Sequence, residues 1–116
     1  MPLNYLSLHD CFQVRDLSPL KGMPLSWLHL GWCGQVRDLT PLKGMSLTLL
    51  SLNGCGQVRD LSPLKGVPLA EIELPPQVDR GMGVLRQIKP LEKINGMAAD
   101  EFWKKYDGGE FPKYKP

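Results

Sequence analysis

The stretches LNYLSLHDC at residues 3–11, LSWLHLGWC at 25–33 and LTLLSLNGC at 47–55 carry one leucine pattern at intervals of 22 residues. One residue after each stretch comes QVRDLSPLKG or QVRDLTPLKG, so three copies of the unit are nearly identical over their whole length. A period of this size is typical of a small supersecondary unit stacked on itself. The chain is therefore predicted to be a solenoid, whose function should lie on its repeated surface.

Each copy predicts one short strand and one tight return. The leucines alternate with polar or variable residues, as in a strand with one buried face, so Leu28 and Leu30 and their equivalents should point inward. The returns are predicted to begin at N-cap residues that precede a proline, and to end at glycines. The caps are Ser18, Thr40 and Ser62, and the glycines are Gly22, Gly44 and Gly66. Only about one turn fits between cap and glycine, which favours short 3₁₀ or helical turns.

The phrase L-x-x-L-x-L-x-x-C with V-x-D-L-S-P-L-x-G after it resembles a 22-residue leucine-rich repeat over all of residues 3–66, with Cys at the position that is commonly Asn. The resemblance implies an α/β solenoid with parallel strands on a concave face, short turns on the convex face and a C-terminal helical cap. Residues 79–116 resemble the C-terminal end of bacterial leucine-rich-repeat arrays, which often follow another module. Because a repeat array needs a cap on its first unit and Met1 and Pro2 lead directly into the Leu3 strand, we also expect the chain to be part of a longer protein.

The pattern divides the chain into three parts. Residues 1–66 hold three regular units. Residues 67–96 hold a degenerate fourth unit, in which the spacing of Met82, Leu85 and Ile88 predicts a helix over 79–89, followed by a fifth strand over 90–96. Residues 97–116 are predicted to form a capping helix and a tail that cover the last hydrophobic layer.

Composition narrows the class of partner. Fourteen Lys and Arg against twelve Asp and Glu give a net charge of +2, and the Arg15, Arg37 and Arg59 column is followed directly by an Asp column, so nucleic-acid binding is not expected. No stretch approaches the ~20 apolar residues of a membrane span, and the N-terminus does not have the pattern of a signal peptide. An odd number of cysteines, one per unit, indicates buried, reduced thiols and a cytoplasmic protein.

The positions that differ between otherwise copied units indicate the binding surface. We predict that the chain binds a protein or peptide through its concave strand face, because exposed Trp and Tyr often anchor interfaces. The predicted partner-binding residues are Tyr5, Ser7, His9, Trp27, His29, Trp32, Leu49, Ser51, Asn53, Glu71 and Glu73. The sequence holds no recognised catalytic set, metal-ligand spacing or phosphate loop, so neither an enzyme nor a metal or cofactor is expected.

Three alternatives remain open from the sequence. One or both tryptophans could fold over the strands as structural residues. Trp27 and Trp32 could instead be platforms for sugar rings in a carbohydrate-binding or cell-envelope module. The array could also be purely structural and self-associate through an uncapped N-terminal edge.

Overall fold

Six short strands form one sheet in chain order in the computed structural model, which describes residues 4–8 and 10–115. The strands are β1 (Tyr5–Ser7), β2 (Trp27–His29), β3 (Leu49–Ser51), β4 (Glu71–Glu73), β5 (Lys93–Ile94) and β6 (Met97–Ala98). The first five run parallel and β6 is antiparallel to β5. The fold is therefore an α/β arrangement of a mostly parallel sheet with short helices and 3₁₀ turns.

The register of the sheet follows the 22-residue period. Tyr5 pairs with Trp27, Trp27 with Leu49, and Leu49 with Glu71. Because strand side chains alternate between the two faces, this register aligns equivalent positions in columns across the sheet. The central residues Leu28 and Leu50 point into the core and are fully buried, as predicted.

Three 3₁₀ helices form the returns, at Ser18–Leu20, Thr40–Leu42 and Ser62–Leu64. The glycine after each has a φ near +80°, a conformation that favours glycine. The predicted Ser and Thr caps are wrong in one respect, since these residues are the first of each helix and not its cap. The capping group is the Asp two residues earlier, and Asp16 Oδ1, for example, accepts the Ser18 N–H at 2.9 Å.

The hydrophobic core lies between the sheet and the 3₁₀ returns and continues to the C-terminal helix. Its first layer is less covered than the second, and among the described residues β1 pairs with β2 alone. Leu6 and Leu8 are half-buried, whereas their equivalents Leu28 and Leu30 are completely buried. Self-association through this edge stays a prediction.

Helix α1 (Met82–Arg86) is shorter than the helix predicted over 79–89. Gly81 has a φ of +102°, which lies outside the helical region, so the helix begins only after it, at Met82. The preceding residues Asp79 and Arg80 instead donate their N–H groups to the Arg59 carbonyl, and Arg80 pairs with Asp60 in an isolated parallel bridge. The interior positions Met82 and Leu85 are buried, as the spacing predicted.

The C-terminal part adds one element that was not predicted. Strand β5 lies within the expected range 90–96, but the chain then turns at Asn95 (φ +55°) and Gly96 (φ +78°) and returns as β6. Asn-Gly is a strong hairpin signal, so this turn could have been predicted from the sequence. Helix α2 (Ala99–Asp107) follows and buries Phe102. Within the described part of the chain, no helix has the length and apolar character needed to cross a bilayer.

Candidate interaction surface

The open sheet face is formed by the strand residues that flank the buried central positions. It consists of Tyr5, Ser7, Trp27, His29, Leu49, Ser51, Glu71 and Glu73. The sheet register places them in two rows, one from Tyr5 to Glu71 and one from Ser7 to Glu73. Eight predicted site residues thus share one face. His9 lies outside the described residues.

An aromatic cluster occupies the β1–β2 end of this face. The ring centroids of Tyr5 and Trp27 are 5.9 Å apart, and those of Tyr5 and His29 are 5.5 Å apart. Tyr5 and Trp27 each remain nearly half exposed, at 46% and 48%. Tilted aromatic pairs at these distances attract one another, so the cluster orders its own side chains before any partner arrives.

Trp32 lies outside this cluster. Its indole lies over Gly54, where even a single added methyl group would clash with the ring. Its backbone has a φ of +62°, which is unfavourable for a bulky residue, and the equivalent position in the next unit is Gly54 itself. Half of Trp32 is nevertheless exposed, at 51%. The chain therefore maintains a strained tryptophan whose ring is only partly used in packing.

Apart from Leu49, the residues at the β3–β4 end of the face are polar. Ser51 is only 4% exposed, flanked in register by His29 and Glu73. Asn53 is exposed beyond the end of β3, and Glu71 and Glu73 are half-buried. The face thus changes from aromatic at β1–β2 to acidic at β4.

Two depressions border the open sheet face at opposite ends of its strands. One, of about 480 Å³, lies where the strands begin and includes Tyr5 and Trp27. The other, of about 430 Å³, lies where β3 and β4 end; it includes Trp32 and Glu73 and is closed by Lys113 and Tyr114 of the C-terminal segment. The second depression was not predicted, because its far wall comes from residues 40 or more positions away in the chain.

The aspartate column lies directly before the 3₁₀ helices and accepts their first N–H groups. Asp38 and Asp60 accept the N–H groups of Thr40 and Ser62, both at 2.9 Å. The hydrogen bonds from Ser18 and Thr40 hold the pKa of Asp16 and Asp38 below the ordinary carboxyl value. In residues 4–8 and 10–115, no group of three or more His, Cys, Asp or Glu is placed to hold a metal ion.

Comparison with known proteins does not assign this chain to a family. No family model, curated protein or solved structure matches the chain.

Proposed function

We propose that the chain is a short leucine-rich-repeat solenoid that binds a protein or peptide on its open sheet face and on Trp32, which lies beside the end of that face, without catalytic activity. The observation that carries the proposal is Trp32, a half-exposed tryptophan at a left-handed backbone position where the next unit has glycine. Backbone strain of this kind persists where function requires the side chain.

The fixed positions of the aromatic side chains also support this proposal. Trp27 is held by Tyr5, and Trp32 rests on Gly54, so both rings are positioned in the free protein. Positioned aromatic side chains lose little conformational freedom on binding and are frequent interface anchors. One end of the face is aromatic and the other carries the two glutamates. This difference in charge between the ends would orient a bound segment.

The proposal includes a cytoplasmic location, which the buried cysteine thiols support. Cys33 and Cys55 are buried, and each donates its S–H to a backbone carbonyl, of Leu8 and Leu30 respectively, at 2.9 Å. These thiols have a structural role in the reduced form, which suits a reducing compartment.

The test is selection from a phage-displayed random peptide library on the immobilised chain. The test variant combines Trp27→Leu and Trp32→Gly, because Leu49 and Gly54 occupy the equivalent positions in the next unit. Loss of strain at residue 32 should offset lost packing, so we expect the free energy of unfolding to change by no more than about 1 kcal/mol. Lys43→Ala, at an exposed position after a 3₁₀ helix, is the matched control.

We expect selected peptides to bind the native chain and the Lys43→Ala control, and to lose at least about tenfold in affinity for the double variant, or about 1.4 kcal/mol. Peptides that bind all three chains equally would exclude the open sheet face as the binding surface. Retention of glycans and not peptides, measured on a glycan array with the same three chains, would favour the carbohydrate-binding alternative.

A further inference from the structure

The depression beside Trp32 has a chemistry of its own within the proposed surface. We name it the Trp32 depression, and the residues that matter for its chemistry are Trp32, Asn53, Glu73, Pro75, Lys113 and Tyr114. We infer that it receives an arginine side chain of the partner, with the guanidinium stacked on the Trp32 indole and paired with the Glu73 carboxylate. This inference rests on the proposed function and specifies the partner's chemistry.

Trp32 supplies a fixed platform. The ring is supported from below by Gly54 and exposes half of its surface. The face of an indole carries negative electrostatic potential and attracts cations, with tryptophan the strongest of the aromatic side chains. A flat support of this kind favours a planar cation over a compact ammonium group.

Glu73 supplies the negative charge. Its side chain is half-buried, and among the described residues it makes no hydrogen bond and no ion pair. A carboxylate partly removed from water gains most from a charged hydrogen-bonding partner. Its neighbour on the same strand, Glu71, lies opposite Lys93 in the β4–β5 register and does not line the Trp32 depression. Among the described residues, Glu73 is therefore the carboxylate that this depression offers to a ligand.

The remaining polar groups match a guanidinium better than an ammonium ion. Two parallel N–H groups of arginine can bond both oxygens of Glu73, and the exposed Asn53 amide oxygen can accept a further N–H. Lys113 bounds the far side of the depression and lies over the Tyr114 ring, 5.2 Å from its centroid, so its charge is directed to that ring. The ligand cation consequently belongs on the Trp32 side.

The test follows the indole N–H signal of Trp32 in ¹⁵N-labelled protein, identified by its loss in Trp32→Gly. The probes are N-acetyl-arginine amide and its uncharged isostere, N-acetyl-citrulline amide. We expect a saturable shift with the arginine probe at roughly millimolar concentration, and affinity at least about fivefold lower for the citrulline probe.

Two neighbouring variants separate the role of Glu73 from a general effect of charge. Glu73→Gln should weaken the arginine probe by about fivefold or more, whereas Glu71→Gln, on the same strand and face, should change its affinity by less than about twofold. Equal affinity for the two probes, equal effects of the two variants, or no saturable shift would each overturn the inference.

The outcome is distinguishable from the fate of the proposed function. Library peptides that require Trp27 and Trp32 but tolerate loss of every arginine would retain the proposed function and remove this inference. A saturable arginine-specific shift, in the absence of any library peptide that requires Trp27 and Trp32, would support the arginine site and remove the proposed function. Failure of both experiments would remove both.

Discussion

At the scale of single residues, the cysteines act as hydrogen-bond donors within the core. Cys55 is fully buried and bonds the Leu30 carbonyl, and Cys33 makes the equivalent bond to Leu8. Burial raises the pKa of the Cys55 thiol from an ordinary 9.0 to about 11, and it raises the pKa of Cys33 in the same direction. The thiol form is therefore part of the folded structure.

This shift predicts alkaline destabilisation. Below about pH 9, Cys55 is protonated in both folded and unfolded chains, and its contribution to the free energy of unfolding is fully present. Between about pH 9 and pH 11 the unfolded chain releases the proton first, so stability falls as the pH rises. Urea denaturation across this range should show a steeper decline for the native chain than for Cys55→Ala, which lacks the titrating group. Parallel curves for the two proteins would contradict the assignment.

At the scale of elements, each 3₁₀ return depends on an aspartate that precedes it. Asp38 Oδ1 accepts both the N–H of Thr40, at 2.9 Å, and its hydroxyl, at 2.6 Å. These two bonds to Thr40, the hydroxyl first, hold the pKa of Asp38 below the ordinary 3.8. The charged form is thus the one that stabilises the turn.

We predict that Asp38→Ala lowers the free energy of unfolding by about 1 kcal/mol, as loss of a capping side chain usually does. Asp38→Asn should lose less, because its amide oxygen can still accept the Thr40 N–H. The difference between the native chain and Asp38→Asn should be present above about pH 4 and shrink as the pH falls through the lower, folded-state pKa. Urea denaturation at pH 7 and pH 3 measures both effects. A difference that grows on acidification would refute the assigned role of the carboxylate.

At the scale of the whole molecule, the C-terminal segment covers the last layer of the core. Phe102 is 1% exposed, and its ring centroid lies 4.9 Å from that of Phe111 and 5.1 Å from that of Trp103. Arg86 of α1 lies over the Trp103 ring at 4.6 Å and bonds Asp107 at 2.6 Å, joining the two helices. The C-terminal segment, which consists of α2 and the tail, thus packs against both α1 and the sheet.

Removal of the Phe102 ring should destabilise the whole chain. We expect Phe102→Ala to lower the free energy of unfolding by roughly 3–5 kcal/mol, because the cavity lies at the junction of sheet and cap. Phe102→Leu, which retains most of the volume, should cost less. Far-UV circular dichroism and tryptophan fluorescence during urea denaturation should shift together. Loss of the C-terminal helix alone, with the strands intact, would show that the cap is not coupled to the rest.

The sequence by itself determined the strands, their inward leucines and the short returns, because each depends on nearby residues repeated at a constant period. Leu28 and Leu50 are buried, and a positive-φ glycine follows two residues after the end of each 3₁₀ helix, as the local pattern required. The columns of the open sheet face follow from the same period, since one register applies to every strand pair. That much of the candidate surface was predictable.

Only the tertiary structure decided which side chains cooperate. The period places Gly54 beside Trp32, but the tertiary structure decides that the Trp32 ring lies over it. Helix α1 is shortened where Asp79 and Arg80 donate hydrogen bonds to Arg59 of an earlier unit. The Trp32 depression exists because the tail carrying Tyr114 returns to the end of the sheet. The bonds to Arg59 and the Trp32 depression bring together residues that are not equivalents in the 22-residue period, about 20 and more than 80 positions apart, so their geometry depends on packing that local periodicity does not encode.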